Sequence, residues 1–274
     1  SRTAYRNGLN GLIMPASQPE PRSEPSAAAS RVSQPPFAAA AVTGDRPSAG
    51  EVQALFNRIA PVYDQLNDQL SLGQHRVWKQ MAVQWAQPQP GQVGLDLCCG
   101  SGDLARLLAR AVGTTGQVYG ADFSAAQLAV ARDRPDSQGL PITWVAADAL
   151  ELPFADQRFD CATMGYGLRN VLDIPRSLRE LKRVLKPGAT VAILDFHRPY
   201  AAWLEQVQNW YLQTIVVPAA ARLGVTEDYA YIAPSLDRFP QGREQEALAL
   251  QAGFTTAVHY AIAGGIMGVL VAQR

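Results

Sequence analysis

Leu95-Asp96-Leu97-Cys98-Cys99-Gly100-Ser101-Gly102-Asp103 is a short apolar run that ends in an acid and opens onto a glycine-rich turn. Taken alone, Gly100-x-Gly102-x-x-Ala105 fits a dinucleotide fingerprint, and Asp122 follows Gly100 by twenty-two residues. Three details point elsewhere. A dinucleotide site packs glycine where Asp96 stands, because pyrophosphate must approach the helix N-terminus closely. A carboxylate there repels phosphate and attracts the ammonium of an amino acid. Asp122, with Phe123 beside it, ends the next apolar run, where a carboxylate can accept both hydroxyls of a ribose. Asp148-Ala149 ends the third, where the acid can accept from an adenine amino group while the adjacent amide donates to the ring. Amino acid, ribose and adenine in that order predict a site for S-adenosylmethionine, with Gly100, Ser101 and Gly102 as its turn. Each acid singly is also readable as a strand-end or helix-cap residue. A short-chain dehydrogenase is the competing interpretation, but no Tyr-x-x-x-Lys occurs in the chain.

Around this turn the chain alternates two periodicities. Val93–Leu97, Gln117–Ala121, Ile142–Ala146, Phe159–Met164 and Thr190–Phe196 are apolar runs of strand length. Between them, Leu104, Leu107, Leu108 and Ala111 follow i, i+3, i+4, i+7 spacing. Ser124 is placed to cap a helix through Arg132. Asp173 and Pro175 open another helix, with Leu178, Leu181, Val184 and Leu185 on one face and Pro187-Gly188 as its stop. The rhythm predicts an α/β fold with a parallel, doubly wound sheet. Ligands belong beyond the carboxyl ends of the strands.

Over 274 residues, 47% are hydrophobic and 24 basic side chains balance 24 acidic ones, which argues against a dedicated nucleic-acid binder. No apolar run reaches the eighteen or so residues that span a bilayer; Ala257–Ala272 comes nearest and, broken by His259, Gly264, Gly265 and Gly268, reads as two strands. Three cysteines and three scattered histidines offer neither a disulfide framework nor metal-ligand spacing, so no metal is expected. Residues 1–50 stand apart: 28 of the 50 are Ala, Ser, Pro or Gly, the composition of a disordered tail. Its arginines fit an organelle transit peptide and its acids do not, so a bacterial extension and a chloroplast address both stay open. The domain is expected at 51–274, with N-terminal helices over 51–90 and an inserted helical lid over 199–240.

Four stretches carry a family resemblance. Tyr63-Asp64-Gln65-Leu66-Asn67-Asp68-Gln69-Leu70-Ser71-Leu72-Gly73-Gln74-His75-Arg76-Val77-Trp78 resembles the N-terminal signature of the ubiquinone/menaquinone biosynthesis C-methyltransferases. Gly165-Tyr166-Gly167-Leu168-Arg169-Asn170 resembles their strand-four motif, and Arg183-Val184-Leu185-Lys186-Pro187-Gly188 their second signature. Tyr229-x-Tyr231 with Ser235 and Phe239-Pro240 also fits. The Asp96–Asp103 loop, the Met164–Gly167 context and Gly264-Gly265-Ile266-Met267-Gly268 look most like the plant and cyanobacterial branch, which methylates demethylphylloquinol. Two residues depart from relatives: Cys98 replaces the first glycine of the broader loop, and Gly165 stands where ubiquinone relatives often carry serine, leaving only backbone for the cofactor.

The resemblance implies the class I methyltransferase architecture, a Rossmann-like, seven-stranded, mainly parallel sheet with helices on both faces in strand order 3-2-1-4-5-7-6. It also implies C-methylation of a prenylated naphthoquinol, the last methylation of phylloquinone or menaquinone synthesis, with peripheral contact to a photosynthetic membrane. A benzoquinol substrate and a non-catalytic cofactor-binding subunit are the alternatives, and monomer or homodimer is left open. A ring carbon attacks a methyl only when its ring is electron-rich, so the substrate is expected reduced and the protein must favour a phenolate. Arg169 is the first candidate to stabilise that oxyanion, since guanidinium cannot act as a base near neutral pH; it could instead bridge a carboxylate. Asn170 would position Arg169 or the substrate, or cap a helix. Tyr63 would close over the methyl donor, or pack in the core. His197 and His75 compete for the base role, and His259 reads as structural. Trp203, Val207, Trp210, Tyr211, Ile215 and Val216 form a helical stretch that covers the domain or, with Tyr229 and Tyr231, lines the prenyl tail's entry.

Overall fold

The computed structural model describes residues 50, 53, 57, 73–216, 218 and 232–274. Tyr63, Tyr229 and Tyr231, nearly all of the 1–50 tail and much of the 51–90 and 199–240 segments lie outside them. Seven strands form one sheet: β1 Val93–Leu97, β2 Gln117–Asp122, β3 Ile142–Ala146, β4 Phe159–Gly165, β5 Leu185–Phe196, β6 Thr256–Ile262 and β7 Met267–Gln273. Their order is β3-β2-β1-β4-β5-β7-β6, as expected. β1 to β5 run parallel, and β7 lies antiparallel to both β5 and β6. The order reverses between β1 and β4, so the carboxyl ends of these two strands diverge into a crevice.

The central strands are apolar throughout because helices cover both faces. On one face, Leu178, Leu181 and Val184 of α4 (Ile174–Val184) and Ala249 of α7 (Gly242–Gln251) pack on Leu95, Leu97, Phe159 and Ile193. On the other, α1 (Gln74–Trp85) and α2 (Asp103–Val112) bring Ala82, Val83, Leu104 and Leu108 onto Val118, Cys161, Leu194 and Val269. The apolar stripe of α2 is rotated from the expected one: Leu104, Ala105, Leu108, Ala109 and Val112 are buried, while Leu107 and Ala111 sit at its edge. Ser124 caps α3 (Ala125–Asp133) by accepting from the Gln127 amide, and Asp173 caps α4 through the Arg176 amide. Beyond β5 lie α5 (Ala202–Tyr211), a π-helical turn at Leu212–Val216, and α6 (Ile232–Arg238).

One boundary differs. α4 stops at Val184, and Leu185 already has extended geometry, so Pro187-Gly188 lies inside β5. Lys186 precedes a proline and is biased toward extended backbone, which turns the helix off early. The ladder to β4 pairs Phe159 with Leu185 and then Cys161 with Thr190, so the four residues between bulge out of register.

Candidate active site

The carboxyl ends of β1, β2 and β4 and the segment after β3 enclose a cleft. Its wall includes Asp96, the Cys98–Ser101 turn, Asp122, Phe123, Asp148, Ala149, Gly165, Tyr166 and Asn170. All three acids read from the sequence meet here, and so does Gly102's immediate surroundings through Ser101 and Asp103. The turn needs glycine for a local reason: Gly102 has φ +85°, and a β-carbon there would fall 2.4 Å from the Trp144 ring. Cys98 adopts φ +53°, and a β-carbon on Gly167 would lie 2.5 Å from its own. The β1 and β4 loops therefore touch backbone to side chain at this point, which closes the floor of the crevice.

Asp96 is fully buried. Thr163 Oγ donates to its Oδ1 at 2.8 Å from the neighbouring strand, and its Oδ2 has no hydrogen-bond partner. Burial pushes the carboxyl up to about 7, with Thr163 opposing. An unsatisfied buried acceptor in a cleft wall is costly without a ligand, and the ammonium of an amino acid would satisfy it; the site thus fits a methionine-bearing cofactor. Asp122 performs a second task. Its Oδ2 accepts from the Gly100 amide at 2.8 Å and its Oδ1 from the Ser124 amide at 2.9 Å, so it pins the glycine turn to the start of α3 while each oxygen keeps a lone pair. Burial raises its pKa as well. Gln53 donates to the Phe123 carbonyl at 2.6 Å, and Ser124 Oγ bonds Asn57, so these two residues reach this edge of the cleft. Asp148 is exposed; its Oδ1 accepts from the Leu150 amide at 2.9 Å, which holds the turn that presents Ala149.

Tyr166, Arg169 and Asn170 follow β4. Tyr166 has φ +57°, a strained conformation for a bulky residue, and its carbonyl accepts from Asn170 Nδ2 at 2.9 Å. That bond orients the amide, leaving Asn170 Oδ1 buried and without a partner at the cleft wall. Arg169 lies in the same turn (Leu168–Asn170) but is not among the cleft-lining residues. Its guanidinium pairs with Asp195, its amide donates to Asp195 Oδ2 at 3.1 Å, and it lies 5.0 Å over the Phe196 ring. The structure therefore forms the carboxylate bridge weighed beside its catalytic role. Asp195 escaped the sequence reading although it carries the signal that found Asp96 and Asp122, an acid near a strand's carboxyl end. Lys79 and Thr163 gave no such signal: the one projects from α1, and the other is matched to Asp96 only by strand register.

The histidines lie elsewhere. His197 donates from Nδ1 to the Gly265 carbonyl at 3.1 Å and accepts at Nε2 from the Gly242 amide at 3.2 Å. Both ring nitrogens are occupied, and burial lowers its pKa. His259 packs 4.7 Å from it, its pKa driven down to about 3 by burial. His75 is buried on α1 outside the cleft wall.

The ubiE/COQ5 methyltransferase family covers residues 44–274. The chain is 64% identical over 226 residues to a 2-phytyl-1,4-naphtoquinone methyltransferase of Trichormus variabilis, covering 82% of this chain and 99% of that protein. It is 52% identical over 228 residues to the chloroplastic 2-phytyl-1,4-beta-naphthoquinone methyltransferase of Arabidopsis thaliana, covering 82% and 87%. Among solved structures, a SAM dependent methyltransferase from Aquifex aeolicus aligns with TM-score 0.53 at 19% identity, covering 71% of this chain and 88% of that one. The [4+2]-cyclase SpnF aligns with TM-score 0.55 at 18% identity, covering 83% and 97%. The last two share the fold across different chemistries, so the reaction is argued from the site and the sequence family. The chain belongs to the ubiE/COQ5 methyltransferase family and is an S-adenosylmethionine-dependent methyltransferase.

Proposed function

We propose that this enzyme methylates a ring carbon of a reduced, phytyl-bearing naphthoquinol, the closing methylation of phylloquinone synthesis. The observation that carries the substrate class is the 64% and 52% identity to enzymes named for 2-phytyl-1,4-naphthoquinone, across nearly their full length. When bound, S-adenosylmethionine supplies an electrophilic methyl on a sulfonium. Asp96 would hold its ammonium, Asp122 its ribose hydroxyls, and Asp148 with the Ala149 amide its adenine. Phe123 and Gly165 line the path between them, Gly165 through backbone alone. Asn170 Oδ1 accepts the hydrogen bond of the quinol hydroxyl. As that hydroxyl ionises through solvent, Arg169, one residue away and braced by Asp195, supplies positive charge at the developing oxyanion. The ring carbon next to the phenolate would then take the methyl as its bond to sulfur breaks, leaving a neutral thioether, and the ring would lose its hydrogen to solvent as a proton to regain aromaticity. Tyr63, read from the N-terminal signature, is the residue we assign to cover the methyl donor.

The prenyl tail needs an apolar path, and α5 offers one: Trp203, Val207 and Trp210 are 65%, 47% and 59% exposed on one side of it. No helix among the described residues is long and apolar enough to cross a membrane. We read α5 as the face that meets the lipid phase holding the substrate. The test is transfer of labelled methyl to reduced demethylnaphthoquinol and to a benzoquinol analogue, each beside its oxidised form. Label in the reduced naphthoquinol alone is expected. Label in the benzoquinol would move the substrate class, and label in neither with cofactor bound would favour a non-catalytic binding subunit.

A further inference from the structure

We propose that Lys79 recognises the carboxylate of the methyl donor's amino-acid moiety, and that Asp103 holds its ammonium in place for that purpose. The inference rests on the S-adenosylmethionine site described above. An amino acid bears two opposite charges, and Asp96 answers only one of them. A cleft that buries an acid for the ammonium and offers no cation would leave the adjoining carboxylate desolvated without a partner.

Lys79 reaches the cleft from α1, is 6% exposed, and lines the same wall as Asp96. Its Nζ donates to Asp103 Oδ2 at 2.5 Å and lies 5.9 Å from the centroid of the Tyr166 ring. Its charge is felt at Asp96, whose carboxyl it helps to hold down. An ammonium carries three N–H groups. Asp103 takes one, and the other two meet no protein acceptor among the described residues. Asp103 is itself shared, since Arg106 and Arg134 also pair with it, and both arginines pair with Asp136 as well, which sets three cations on two carboxylates. Despite its burial, Lys79, Arg106 and Arg134 together bring its carboxyl down to about 2. It stays ionised and orients Lys79 without cancelling that charge one for one. Lys79 lies in register just after Trp78, so the long N-terminal signature delivers it to the cleft.

The test is titration calorimetry with S-adenosylmethionine and with its decarboxylated form, which keeps sulfonium, ribose, adenine and amine. The unaltered enzyme should bind the complete molecule at least about tenfold more tightly, the scale of one charge-assisted hydrogen bond. Lys79→Met should lose about tenfold or more for S-adenosylmethionine while holding its affinity for the decarboxylated form within about twofold. Lys79→Arg should keep most of the preference. Equal binding of both ligands by the unaltered enzyme overturns the proposal, and that comparison requires no variant to fold. A loss of equal size for both ligands in Lys79→Met also overturns it, because Lys79 would then only brace α1 on α2. Failure of the unaltered enzyme to bind either ligand overturns the donor site itself.

Discussion

At Asp96 the buried carboxyl keeps its proton to about pH 7, whereas the unfolded chain releases it near 3.8. Between those values the folded state binds the extra proton, so the ligand-free protein loses stability as pH rises through the window and levels off above it. A ligand ammonium prefers the ionised form, so cofactor affinity should climb from about pH 6 to about pH 8. Asp122 and Lys79 also act on this carboxyl, in opposite directions. Asp96→Asn should bind more weakly with no such slope in calorimetry; a persisting slope would assign the titration to another group. Arg169 presents a different balance. Truncating it to Ala leaves Asp195 charged, buried and unpaired, which costs stability by about 3–5 kcal/mol. Arg169→Lys avoids most of that loss but breaks the planar fork. Turnover of Arg169→Lys is expected to fall about a hundredfold, as for a lost oxyanion donor, with cofactor affinity within about twofold; unchanged turnover removes Arg169 from the chemistry.

Elements decide how these residues are delivered. The strand-end acids were legible because the carboxyl ends of β1, β2 and β3 finish at the crevice, which puts a carboxylate at each tip in its wall. The end of α4 was not, because Pro187-Gly188 suits a helix stop and a bulged strand entry equally well, and only pairing with β4 selects the second. α5 illustrates the same limit. Its aromatic spacing showed a face, and the structure shows that face open, with Trp203 and Trp210 both more than half exposed. Trp210→Ala should therefore reduce kcat/KM for a phytyl-tailed quinol several-fold more than for a tail-less naphthoquinol, since each buried CH₂ of tail contributes about 0.8 kcal/mol. Equal losses on both would return α5 to a simple cover. Melting temperature should hardly change, because an exposed side chain adds little packing.

For the whole molecule, the family match begins at residue 44 and runs to the end, while the first 43 residues share none of it. A protein lacking residues 1–43 is expected to melt within about two degrees of the full chain, a shift well under 1 kcal/mol, and to bind cofactor equally. A lower melting point would move the domain boundary into the tail. By itself the sequence determined the α/β class and the three cleft acids, because periodicity, glycine turns and strand-end charge are local properties of a chain that alternates strand and helix; the strand order came with the family resemblance. Only the tertiary structure decided which groups face one another across strands and helices: Thr163 against Asp96, Asp195 against Arg169, Lys79 against Asp103, and both nitrogens of His197 against backbone. Those pairings join residues from 24 to 68 positions apart, and no local pattern encodes a contact that exists only once the sheet has closed its register.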